Sequence, residues 1–296
     1  MNNMRILKNI LRGLSLCILV LLSACTEKIN LNLDNSYTRL VVDGSFSTDT
    51  AIQVVKLTKS SDFFNSGDAA AVSGAVVTIS DGSNIFQLNE NPSNTGIYET
   101  STKVAGIIGK TYTLSISNVD IDADNVMEEY HAQSELRSVI PADSLQISRE
   151  KQPGARDTGW IVKVFAKNVP GEDWFLFKVK KNQLQLSDSA HKFTSIAYSD
   201  GSQPYFSGSA VFISDGTRAE EKLMNGDTVT LEALGITSAY YQFLVDFVAE
   251  YYPKSPIGSG PSSNISTNID PKDKAVGFFT AYSVQRISIV YHDRKN

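Results

Sequence analysis

Cysteine and histidine are scarce in this sequence, and their scarcity restricts the chemistry that the chain can perform. Only two cysteines occur, Cys17 and Cys25, and the three histidines are His131, His191 and His292. The histidines never fall at the HxH or HExxH spacing of metal sites. The sequence also contains no GxSxG, P-loop or GxGxxG motif. Hydrolase and nucleotide chemistry therefore lack a recognisable set of residues, and we expect neither an enzyme nor a cofactor.

The only pronounced hydrophobic run, near the N-terminus, is typical of a signal peptide. Three basic residues precede the apolar stretch 13–22, which is shorter than the roughly 20 residues that span a bilayer. The letters LSAC, ending at Cys25, follow it and resemble the lipobox of bacterial lipoproteins, whose cysteine carries acyl chains. We therefore predict a signal peptide over residues 1–24 and lipid on Cys25. An ordinary secretory signal with a chance cysteine is the alternative.

Loss of the signal peptide would leave an acidic chain without a free thiol. Cys17 would leave with the signal and Cys25 would be consumed by lipid, so thiol catalysis and disulfides are excluded. Three of the 27 Lys and Arg residues lie in residues 1–24, so that 24 basic and 32 acidic residues would remain. An acidic chain without a basic run has no electrostatic footprint for phosphate backbones. We expect no nucleic-acid partner.

Short runs of β-branched and aromatic residues dominate residues 38–138, after a polar tether over residues 25–37. Several runs alternate apolar and polar residues, as half-buried strands do. Asp81-Gly82 separates two of them and predicts a hairpin. About seven strands at this spacing predict an immunoglobulin-like β-sandwich without the usual disulfide.

Residues 145–296 predict a second β-rich domain that carries one amphipathic helix. Apolar residues recur at three- and four-residue steps over residues 235–252, with Thr237 or Ser238 as the cap. The stretch 253–274 is rich in Pro, Gly, Ser and Asn. Loops of this length are often functional, and this stretch is our candidate for a contact surface. The alternative is a solvated loop without a partner.

Five segments of the chain form a recognisable set: LVVDGSF (40–46), VIPADSLQI (139–147), AYYQFLVDF (239–247), STNIDP (266–271) and GFFTAYSV (277–284). Together they resemble one family of outer-membrane lipoproteins of Bacteroidetes, the domain of unknown function 4249. The sequence departs from the family at Asp270-Pro271, where members often carry glycines. The resemblance implies a lipid-anchored protein of the outer membrane, periplasmic or surface-exposed, often encoded beside a TonB-dependent transporter. It implies no catalytic residue.

Asp120, Asp122 and Asp124 are the best candidates for a metal site. Alternate aspartates can present carboxylates on one side of an extended segment, which suits Ca²⁺. The spacing imitates the start of an EF-hand loop, but Asn125 stands where glycine is needed and His131 stands where glutamate is needed. A polar hairpin tip is therefore the favoured interpretation, with calcium binding as the alternative.

Four Asp-Ser/Thr-aliphatic triplets resemble the O-glycosylation motif of this bacterial group. The acceptor residues would be Thr50, Ser144, Ser189 and Thr228. Copies that are embedded in strands would be inaccessible to the modifying enzyme.

Aromatic residues around the helix and the last strand could stack on sugar rings, although at helical spacing most of them are expected in the core. Tyr241 and Tyr252 fall off the apolar stripe of the helix, and with Asn268 they are the candidate binding residues. We predict a non-enzymatic accessory or binding lipoprotein that works with a TonB-dependent transporter in nutrient capture or complex assembly. The first alternative is a stand-alone surface module for glycan binding or adhesion, and the second is an enzyme.

Overall fold

The computed structural model describes residues 38–60, 69–151, 158–167, 173–186, 196–199, 205–214, 218–251 and 265–293, together with Met4. The predicted tether over residues 25–37, including Cys25, lies outside these residues. The chain divides into two units, Met1–Ser36 and Tyr37–Asn296, and the second unit is compact.

The described residues are mainly β-strand with one α-helix, which confirms the predicted fold class. The first seven strands are β1 (Leu40–Ser47), β2 (Val54–Lys59), β3 (Val76–Ser80), β4 (Ile85–Glu90), β5 (Ile97–Thr100), β6 (Thr111–Val119) and β7 (Glu128–Glu135). The others are β8 (Ala142–Glu150), β9 (Gly159–Lys167), β10 (Asp173–Lys181), β11 (Leu184–Gln185), β12 (Ile196–Ser199), β13 (Tyr205–Ile213), β14 (Thr228–Ile236) and β15 (Ala275–Val290). The helix α1 spans Ser238–Tyr251, and a short 3-10 helix spans Ala219–Glu221.

The last strand joins the two halves of the chain. Hydrogen bonds connect twelve strands in one sheet of order β11-β10-β14-β15-β1-β2-β5-β4-β3-β6-β7, with β12 on β10, while β13, β9 and β8 form a second sheet. The first half of β15 pairs in parallel with β1, and its second half pairs antiparallel with β14. The predicted boundary between residues 138 and 145 thus falls inside one compact unit.

Two hydrophobic cores lie on this framework. The first gathers the inward side chains of β1 to β7, and it includes Ile269, Phe279 and Ala281 from the C-terminal part of the chain. The second gathers residues of β8, β9, β10 and β14. The alternating burial of β7 is the pattern expected of a strand with one face in a core.

Gly277 allows β15 to lie beside β1. Its φ is +90°, and a Cβ at this position would overlap the carbonyl of Val42. Only glycine adopts this conformation and this close approach without strain. The glycine at the start of the GFFTAYSV segment therefore serves strand pairing.

The helix begins later than the sequence predicts. Gly235 and Ile236 still belong to β14, where they pair with Phe175 and Trp174, so the predicted start at Gly235 is wrong by three residues. The hydroxyl of Thr237 accepts a hydrogen bond from the backbone N–H of Tyr240 at 3.2 Å. This contact confirms Thr237 as the residue that caps the helix.

Two fully buried tyrosines of the first core provide a matched test of its polar contacts. The Tyr98 hydroxyl donates to the carbonyl of Val72 at 2.9 Å and accepts from the N–H of Ala75 at 3.0 Å. Tyr98→Phe should lower the free energy of unfolding by about 1–3 kcal/mol, because two buried backbone groups lose their partner. Urea unfolding measures this loss.

Tyr130→Phe is the control, since the equally buried Tyr130 hydroxyl has no hydrogen-bond partner in the described part of the chain. Its removal should leave stability unchanged or slightly higher. Equal losses in both variants would contradict this account of the core.

Candidate functional site

Four neighbouring strands present a continuous face on the side opposite the cores. Because β10, β14, β15 and β1 are adjacent in the sheet, alternate side chains of these strands share one face. The register places Leu176 beside Leu234 and Lys178 beside Glu232. On the other side of β15 it places Ser45 beside Thr280. This face, which we call the outer face, is polar at several positions where a strand facing a core would be apolar.

The helix α1 covers part of the outer face. Leu244 is buried against Leu176, Leu234 and Ile236. The rings of Tyr240 and Phe243 lie 5.1 and 5.2 Å from the ring of Phe278 on β15, measured between centroids. Aromatic rings at these separations attract one another. The apolar stripe of the helix thus attaches it to the sheet through one end of the face.

A cavity of about 740 Å³ lies between the helix and the outer face. Its walls are mainly apolar, and they are formed by Val41, Leu176, Leu234, Tyr240, Phe243, Leu244, Phe247, Ile265, Val276 and Phe278 among others. The polar side chains that line it are Arg39, Asp43, Ser45, Lys178, Glu250, Thr280 and Tyr282. A volume of this size and a mainly apolar wall with a few polar groups are typical of small-molecule sites.

Removal from water changes the pKa values of several polar groups in the cavity. Desolvation lowers the pKa of Lys178, and the nearby carboxylates of Glu232 and Asp43 only partly oppose this effect. Burial also raises the pKa of Tyr240 and of Tyr282, so that both keep their hydroxyl protons. The Thr280 hydroxyl is buried without a hydrogen-bond partner among the described residues. Of these groups, the ammonium of Lys178 lines the cavity without an ion-pair partner among the described residues, and it can pair with a ligand.

An ionic network continues the outer face beyond the cavity. One oxygen of Glu232 accepts from the Lys180 ammonium at 2.8 Å and from Nε of Arg286 at 2.7 Å. The Arg286 guanidinium also forms a double contact with Asp49, just after β1. Burial acts to raise the pKa of Glu232, but the hydrogen bonds from Lys180 and Arg286 hold it below its ordinary value. The network links β10, β14, β15 and the end of β1.

A comparison with protein families identifies the chain. The model of the domain of unknown function (DUF4249) matches residues 26–288. The chain belongs to the DUF4249 family. No curated protein matches the chain. In the part of this DUF4249 protein that the structure describes, no helix is long and apolar enough to cross a membrane.

The three aspartates proposed for calcium do lie together in the DUF4249 protein. Each offers an oxygen, and these atoms lie within 4.8 Å of one another in the loop between β6 and β7. The Asp120 carboxylate already accepts hydrogen bonds from the backbone N–H groups of Asp124 and Asn125. Lys274 adds a positive charge nearby, which Asp122 and Asp124 help to stabilise. Calcium binding at this loop stays a prediction.

The three residues proposed for ligand binding do not meet in one described site. Tyr241 is half-buried, and it packs against the apolar cluster around Leu244 without lining the cavity. Tyr252 lies outside the described residues. The amide of Asn268 is occupied by backbone groups. It donates to the carbonyls of Gln133 and Phe279 and accepts from the N–H of Phe279. Asn268 thereby ties β7 to β15.

The acceptor residues of the glycosylation motif differ in accessibility. Thr50 and Ser144 are exposed, although Ser144 belongs to β8. Thr228 is half-buried at the start of β14, and Ser189 lies outside the described residues. Among the three acceptors that the structure describes, Thr50 is the one that is exposed and lies outside a strand.

The residues that make the cavity polar were not predicted from the sequence, above all Asp43, Lys178 and Thr280. One signal was present at Lys178, which interrupts the apolar run WFLFKV between two buried residues, Phe177 and Val179. A lysine in a strand that is otherwise buried marks a face with a special environment. The other two residues resemble ordinary outward-facing strand positions.

Glu232→Gln tests the ionic network. The variant should lose about 2 kcal/mol of stability at neutral pH, because two cations lose their carboxylate partner. Since the folded pKa of Glu232 lies below its ordinary value, the stabilisation is complete above that ordinary value and is lost as the pH falls through the folded pKa. Urea unfolding of both proteins from about pH 7 to about pH 3 should show the difference shrinking.

Glu220→Gln is the matched control, since Glu220 is exposed. This variant should unfold like the unmodified protein at every pH. A loss in Glu232→Gln that stays constant down to the acid end of the range would argue against a carboxylate-dependent network.

Proposed function

We propose that this DUF4249 protein is an exported, lipid-anchored binding protein of the outer membrane, and that it captures a small, mainly apolar ligand in the cavity under α1. In this proposal the protein is an accessory component of a TonB-dependent transporter and performs no catalysis. The observation that carries the binding role is the cavity of about 740 Å³ with its apolar wall and few polar groups.

The chemistry of the cavity favours binding over catalysis. No histidine or cysteine is found among the described residues that line it. Its serine and threonine, Ser45 and Thr280, form no hydrogen bond within the described part of the chain to a histidine or carboxylate base that would activate them as nucleophiles. A mainly apolar wall without such a pair can hold a ligand but offers it no activated hydroxyl nucleophile.

The same wall argues for an apolar ligand over a sugar. Sugar binding by aromatic stacking needs ring faces that are free to receive a ligand. Tyr240, Phe243 and Phe278 instead contact one another. A stand-alone glycan-binding module is therefore the weaker alternative.

Filling the cavity should weaken ligand capture. Val41 lines the cavity from β1, so Val41→Trp should occupy space that a ligand needs. With residues 26–296, which contain the whole compact unit, binding of the neutral fluorescent probe N-phenyl-1-naphthylamine should weaken by about tenfold or more.

Ile85→Trp is the control for this substitution, because Ile85 is 75 % exposed at the start of β4 and does not line the cavity. It should bind the probe like the unmodified chain. Equal probe binding by both tryptophan variants would refute capture in this cavity.

Attachment to the membrane is tested separately through Cys25. Cells fed an alkyne-bearing fatty acid should label the protein, and Cys25→Ser should remove the label, because the thiol is the acylated group. Cys17→Ser should keep it, since Cys17 belongs to the predicted signal peptide. Unlabelled protein in the parent strain would exclude the lipid anchor.

The accessory role is tested by a pull-down of the protein in mild detergent. If no TonB-dependent transporter is recovered with it, the accessory role is excluded.

A further inference from the structure

Two neighbouring lysines of β10 differ in how their charges are compensated. The ammonium of Lys180 lies 2.8 Å from a carboxylate oxygen of Glu232, which also binds Arg286. Lys178 stands beside Glu232 in the strand register, yet it forms no ion pair with any residue that the structure describes. Of this pair, only Lys178 lines the cavity.

The surroundings of Lys178 make an uncompensated charge costly. Leu176 and Leu234 lie on the same wall of the cavity. The pKa of Lys178 is lowered, with desolvation as its largest cause. A partly dehydrated ammonium gains much more from an anionic partner than one in water does.

An unpartnered hydroxyl provides a second, independent sign of a ligand. Thr280 also lines the cavity, it is only 4 % exposed, and its oxygen has no hydrogen-bond partner among the described residues. Buried polar atoms normally find a partner, and the exceptions call for an explanation. The oxygen is closed to solvent in this structure, so a ligand in the cavity can reach it only after a side chain of the wall moves.

The acidic residues of the cavity are better compensated than Lys178. The Asp43 side chain is exposed to solvent, which hydrates its carboxylate. Glu250 already has an interaction partner. The dehydrated and unpaired charge in the wall is therefore positive.

We infer that the cavity takes an amphiphile with a carboxylate head group, and that the ammonium of Lys178 binds this head group while the apolar wall holds its hydrocarbon chain. This inference rests on the proposed binding function and names the class of ligand.

Head-group preference tests the inference on residues 26–296. Dodecanoate, dodecanol and dodecylamine share one hydrocarbon chain and differ in their head group, and each can compete with bound N-phenyl-1-naphthylamine. Dodecanoate should compete best, by about tenfold over dodecanol. Lys178→Met should remove this advantage, Lys178→Arg should retain it, and the neutral probe should bind all three proteins alike.

Lys56→Met is the control for charge, because Lys56 is exposed on β2 and does not line the cavity. It should keep the preference for dodecanoate. Equal competition by dodecanoate and dodecanol, stronger competition by dodecylamine, or an unchanged preference in Lys178→Met would each overturn the inference while leaving the cavity as a binding site. If the neutral probe does not bind the unmodified chain, the proposed function itself fails.

Discussion

The pairing of β15 on both of its edges is the interaction on which the other features of the compact unit depend. Its first half adds to β1 and so completes the first core, to which it contributes Phe279 and Ala281. Its second half adds to β14 and so continues the sheet over the second core. Without this strand, the outer face that carries the cavity would be divided between two separate groups of strands. The close approach of Gly277 to the carbonyl of Val42 is therefore needed for the surface that carries the cavity as well as for folding.

The polar residues of the outer face explain why the cavity is not filled by the helix. A helix with an apolar stripe packs closely where the opposing surface is apolar, as Leu244 does against Leu234 and Leu176. Where the sheet presents the exposed Asp43, close contact with apolar side chains would remove a charge from water without a partner. The helix therefore contacts one end of the face and leaves space over the rest. Beyond that space, the ionic network satisfies the remaining charges within the sheet.

Local patterns predicted local structure well, because strand alternation and helix spacing depend on neighbours in the sequence. The strand LVVDGSF and the helix around Leu244 were found in this way. The start of the helix was misplaced because Ile236 fits the helical spacing of apolar residues. In the structure, Ile236 pairs with β10, and Gly235 pairs with both β10 and β15. The cavity could not be predicted from the sequence. Asp43 and Thr280 come from opposite ends of the chain, and only the parallel pairing of β1 with β15 brings them to one face.

The segment GFFTAYSV shows how one short motif serves two surfaces. Because successive side chains of a strand point to opposite faces, Phe278, Thr280 and Tyr282 line the cavity, while Phe279 and Ala281 enter the first core. Changes at the first set alter the surface that a ligand meets, and changes at the second set alter the packing that holds β15 in place. Folding and binding are thus encoded at alternate positions of the same strand. The two requirements can therefore be separated by substitution, although the residues are adjacent in the chain.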